Sequence, residues 1–235
     1  MRLDWNKIGF YGFITGVAVW YFSLVGMIET FDSRDVITDI LSLGFALILV
    51  VGFGMDYIAA FKLTRGKPVQ GIVSGILVGL LGGILASGLP VLMTVWEDMR
   101  SMFVNASPPL FEILTFGQES LAMGLLLLTG TITLLSAIGA VVSILPALPR
   151  RLILTGLSAV LVVGMLSDLL DVILARSRAI APVAKFLFGK TGLSVSGAIT
   201  VFIVFALLGL LWSILRKPAR ARVDELPPQP RRVFN

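Results

Sequence analysis

Six stretches of the chain run for about 20 residues or more with few charges, the length a helix needs to cross a bilayer. They are approximately Ile8–Ile28, Ile37–Phe61, Val69–Trp96, Ser120–Leu145, Leu152–Leu174 and Ser196–Leu215. The first has basic residues before it, Arg2 and Lys7, as a signal peptide would. Its apolar run is too long for one, Tyr11, Trp20 and Tyr21 are bulky, and no small-x-small cleavage site follows, so it reads as a retained helix. Residues 62–68 and 146–151 are short connections. Residues 97–119, with Pro108 and Pro109, and 175–195, with Pro182, are longer and mix apolar anchors with charges, as segments lying in the membrane interface do. The pattern predicts an all-α, polytopic membrane protein: six transmembrane helices in three hairpins over residues 1–215. Residues 216–235, RKPARARVDELPPQPRRVFN, are basic and proline-rich and read as a cytoplasmic linker or tail.

Composition removes the soluble alternative. Hydrophobic residues make up 57% of the 235 and charged residues 14%, against about 25% charged in a soluble domain. The mean hydropathy is +0.96. A chain of this size cannot enclose that much apolar surface in a core of its own.

The net charge of +5 is read through its placement. With the N-terminus inside, the inner face holds Arg2, Lys7, Lys62, Arg65, Lys67, Arg150, Arg151 and the six cations of the tail, which is 13 of the 19. The outer face holds Arg34, Arg100, Arg176, Arg178, Lys185 and Lys190, with the acids Glu29, Asp32, Asp35, Glu97, Asp98, Glu112 and Glu119. The positive-inside rule therefore predicts both termini in the cytoplasm. The basic balance reflects this topology and not a nucleic-acid partner; the expected partner surface is the lipid bilayer.

Histidine and cysteine are absent. Ser-His-Asp and Cys-His catalysis, zinc sites, Fe–S clusters and disulfides all lack their residues. No metal or cofactor and no enzymatic activity is expected.

Two patterns remain. Gly71, Gly75, Gly79, Gly83 and Ser87 recur every fourth residue in the third run, a groove for close helix packing. Gly12 and Gly16 form a shorter version in the first run, and Pro90 is placed to kink the third. The second pattern is the acids near or within the spans: Asp39, Asp56, Asp168 and Asp171. Ionisable residues in a membrane are functional suspects. Asp39, Asp168 and Asp171 are the candidate ion or substrate residues. Asp168 and Asp171 share a helix face, and the plainer reading is that Arg176 or Arg178 holds them at the interface.

Residues 184–191, AKFLFGKT, nearly spell a phosphate-binding loop, but Ala184 stands where the tight turn needs glycine. Asn105-Ala106-Ser107 is a formal glycosylation sequon and reads as loop. Trp5, Tyr11, Trp20, Tyr21, Tyr57, Trp96 and Trp212 cluster near span ends as an interfacial belt.

The segment AKFLFGKTGLSVSGA, the last span and the basic exit LRKPARARVDELPPQP resemble the N-terminal membrane extension of M-type permeases. These are subunits of branched-chain amino acid ABC transporters. The specific part of the resemblance is residues 184–230. It implies a permease subunit, or its N-terminal module, working with an ABC ATPase, a second permease subunit and an extracytoplasmic solute-binding protein in a prokaryotic plasma membrane. No loop with the Glu-Ala-Ala start of an ATPase-coupling segment is present, so no family site residue carries over. The alternatives are a non-transporting assembly subunit that uses the glycine groove, and a small ion-coupled carrier that uses the aspartates.

Overall fold

A computed structural model describes residues 3–63, 68–96, 98–177, 179–189 and 192–215. Arg65, Lys67, Arg178, Lys190 and the tail lie outside the described residues.

The long helices arise where apolar runs meet local start signals. Asp4 opens α1 (Trp5–Leu24), its carboxylate accepting from the Lys7 backbone N–H at 3.3 Å. Gly26, at φ 82°, turns the chain into the short α2 (Met27–Asp32). A two-stranded hairpin follows, β1 (Asp35–Ile37) and β2 (Leu41–Ser42). The Ser42 hydroxyl then accepts from Phe45 N at 3.1 Å at the start of α3 (Leu43–Leu63). Next come α4 (Pro68–Val95), the short α5 (Met99–Met102) and α6 (Pro108–Thr115). The chain continues with α7 (Leu121–Ile144), α8 (Ala147–Met165), α9 (Ser167–Ala175), α10 (Ala181–Leu187) and α11 (Val195–Leu215).

The all-α reading holds, and among the described residues five helices are long and apolar enough to cross a membrane: α3, α4, α7, α8 and α11. α1, at 20 residues, is longer than α8, but Asn6, Lys7 and its tyrosines and tryptophans lower its hydropathy.

Two span boundaries differ from the expectation. The second run was expected to be helical from Ile37, but α3 begins at Leu43 and residues 35–42 form the hairpin. Val36, Ile37 and Thr38 are β-branched and favour extended backbone, and Asp39 takes the left-handed conformation at φ 59° in the turn. The fifth run was expected at Leu152–Leu174. Instead α8 starts at Ala147 behind Pro146, takes Arg150 and Arg151 into its first turns, and has used its length by Met165. The chain breaks at Leu166 and restarts as α9.

α4 lies at the centre, between α1 and α7, and α3 closes the group against α7. α8 and α11 form a second pair at the side. Only 11% of the α11 span is buried, against 50% for α3 and α4. Among the described residues, the connections that carry helices or strands fall at one end of the bundle. α2, the hairpin, α5, α6, α9 and α10 gather there as a cap, under which Leu110 and Leu114 of α6 are fully buried. At the other end α7 passes to α8 through Leu145 and Pro146 alone.

The side pair is tied to the bundle at both ends. At the cap, Leu193 N donates to Val36 O at 3.2 Å and Thr38 N to Leu193 O at 2.9 Å. At the far end, Arg150 lies 5.0 Å above the Phe61 ring and its Nη1 donates to Ser143 O at 3.2 Å.

Candidate functional site

The small-residue stripe of α4 is a contact surface within the chain. Gly71, Gly75, Gly79, Gly83 and Ser87 are all buried. A Cβ on Gly75 would stand 2.5 Å from Ala140 Cβ, one on Gly79 would overlap the Ser136 side chain, and one on Gly83 would come 2.9 Å from Thr129 Cα. The Ser87 hydroxyl meets Thr129 Oγ1 at 2.8 Å. All of these partners are on α7. On the neighbouring face, Gly82 meets Thr15 of α1, and Gly12 and Gly16 of α1 meet Leu81 and Leu85 of α4. Small residues on both sides let three backbones approach, which stands in for hydrophobic drive in lipid.

Within this seam sits a carboxylate. Asp56 of α3 is fully buried, and its Oδ2 accepts from the Ser136 hydroxyl of α7. Its Oδ1 is buried with no hydrogen-bond partner. The approach is permitted by Gly139, where a Cβ would come 2.6 Å from Phe53 O, and by Gly79, beneath Ser136. Gly52, Ala59 and Ala60 lie four residues before and three and four residues after Asp56, on the same face of α3.

The three sequence candidates lie elsewhere. Asp39 is exposed in the hairpin turn, its N–H reaching Asp35 Oδ2 at 3.4 Å, and is not on a helix. Asp168 is exposed and Asp171 half-buried, both on the short α9 beyond the break at Leu166. Among the described residues neither has an ion-pair partner. Arg176, although described, does not hold them, and a pairing with Arg178 falls outside the described residues. The structure does not bring these three together. Asp39 instead joins Asp32, Asp35 and Glu112 around an open cleft of about 650 Å³ in the cap, floored by Phe45 and Phe116. Among the described residues no group of three or more acids is arranged to hold a metal ion.

Several cap motifs are structural. Asn105, the acceptor position of the sequon, lies under Gly26 and donates to Leu24 O at 2.9 Å. Ser107 caps α6: its hydroxyl accepts from Leu110 N at 3.2 Å and donates to Glu29 Oε2 at 2.6 Å. Gly189, within the segment that suggested a phosphate loop, abuts the Thr38 side chain, and Gly192, just after that segment, abuts the Asp35 backbone of the hairpin. A side chain at either position would collide with the hairpin.

No model of a protein family, no curated protein and no solved structure matches the chain.

Proposed function

We propose that the chain is a membrane-embedded component of a solute transport system in a prokaryotic plasma membrane. α1 would be its sixth span and both termini would be cytoplasmic. The particular reading is a permease subunit, or an N-terminal permease module, of an ABC importer for branched-chain amino acids.

The observation that supports this is the difference between the two ends of the bundle. One end carries a built, acidic cap with an open cleft lined by Asp32, Asp35, Asp39 and Glu112. The other has the two-residue link Leu145–Pro146 and the cations Lys62, Arg150 and Arg151. Such a cap suits a solute or a solute-binding protein arriving from outside. The groove of α4 packs against α1 and α7 within the chain, so it gives the alternative of an assembly subunit no particular support.

The test is mild-detergent purification of the native complex, combined with uptake assays on a deletion strain. An ATPase subunit and a solute-binding protein should copurify, and branched-chain amino acid uptake should fall on deletion. Isolation as a lone chain with unchanged uptake overturns the reading.

A further inference from the structure

Asp56 is the sole carboxylic side chain within the long helices α1, α3, α4, α7, α8 and α11. The two helices that press on it, α4 and α7, contain no ionisable residue. The ionisable groups of its surroundings are few. On α3 they are Tyr57, next in the chain and stacked between Phe53 and Phe61, and Lys62 in the last turn. On α1 they are Lys7, paired with Asp4 at 2.7 Å, Tyr11 and Tyr21. At the start of α8, Arg150 is engaged by Phe61 and the Ser143 carbonyl. Among the described residues none forms an ion pair with Asp56.

The carboxyl therefore has one oxygen held by a hydroxyl and one without a partner. For holding α3 to α7 alone, the acid is a poor choice. An asparagine, with the same shape and an oxygen for Ser136, would hold the helices without bringing a group that can ionise into the seam. Aspartate adds a proton that can come and go. As the bare carboxylate, it would have one hydroxyl donor and no counter-ion in a dry contact, an arrangement that favours admission of water between the helices. Asp56 lies seven residues from the end of α3, ~10 Å at the helical rise. One turn further toward that end, its face carries only Ala59 and Ala60.

We infer that Asp56 is a proton-binding site inside the bundle, with Ser136 as its positioning residue. The proton is held on the carboxyl while α3, α4 and α7 are closed around Gly79 and Gly139. It passes to water from the short-connection end when α3 and α7 part, and returns from water when they close. No other reactant is consumed. The inference does not depend on the importer reading and concerns the chain by itself.

The test uses the full chain in lipid nanodiscs. pH-difference infrared spectra are recorded for the wild type, Asp56→Asn and Ser136→Ala. A protonated-carboxyl band should vanish as pH is raised, be missing in Asp56→Asn, and shift in frequency in Ser136→Ala, which removes the hydroxyl donor and keeps the acid. In parallel, wild-type protein is treated with a hydrophobic carbodiimide and the adduct mapped by mass spectrometry. An adduct on Asp56 whose yield falls several-fold from acid to alkaline pH supports the site without requiring any variant to fold. An adduct or band of constant strength across the pH range means a locked structural acid and overturns the inference. So does the lack of any Asp56 adduct together with the lack of any titrating carboxyl band in the wild type.

Discussion

The indole Nε1 of Trp20 on α1 donates to the carbonyl oxygen of Leu85 on α4 at 2.8 Å. The bond falls just before Pro90, which lacks the N–H that Ala86 O would otherwise receive. Trp20, which the sequence places in an interfacial belt, thus fastens α1 to the helix at the centre of the bundle. Trp20→Phe keeps the ring and loses the donor. It should destabilise the protein by about 1 kcal/mol, read as a lower unfolding midpoint in detergent.

The glycines of α4 and α7 separate packing from composition. Gly79→Leu drives a side chain into Ser136, whereas a Cβ at Gly130 meets nothing within 4 Å. Gly79→Leu should cost about 1–3 kcal/mol or more as α4 is forced from α7. Gly130→Ala should be neutral or slightly stabilising because alanine favours the helix. Chemical unfolding of both variants in the same detergent checks the contrast.

Ser107 caps the start of α6 and ties it to Glu29 of α2. Ser107→Ala should cost about 1 kcal/mol, concentrated in the cap. Hydrogen exchange should quicken over α5 and α6 while α4 and α7 stay protected.

Because the chain contains no cysteine, topology can be read from single introduced thiols without background. Ser33 and Gln118 are exposed on the cap and Lys62 is exposed near the opposite end. In intact cells a membrane-impermeant maleimide should label Ser33→Cys and Gln118→Cys and leave Lys62→Cys unlabelled until the membrane is opened. The reverse pattern would invert the proposed orientation.

Five of the six expected spans and the α4 stripe were legible because length and small-residue spacing are direct physical demands of a bilayer. The hairpin at 35–42 was not, because it borrows apolar residues, Val36 and Ile37, that hydropathy cannot distinguish from the start of a span. The break at Leu166 was hidden for the same reason, since α8 and α9 are both apolar across it. Asp56 is visible in the sequence as an acid near the inner end of the second run, and hydropathy alone does not distinguish it from Asp39, Asp168 and Asp171. What sets it apart is the company on its face. Gly52, Ala59 and Ala60 surround it on α3, and Ser136, Gly139 and Ala140 form the matching small face of α7. A polar residue centred in two such faces is the signal that could have found it. Asp39, Asp168 and Asp171 lack that company.

The strand contact between Val36 and Leu193 has a consequence for biosynthesis. Thr38 and Leu193 are 155 positions apart, and membrane proteins are inserted from their N-terminus as they are made. The edge of β1 must therefore wait, unpaired at the membrane surface, until the segment just ahead of α11 emerges. The backbone bonds to Leu193 form only when nearly all the spans have been delivered.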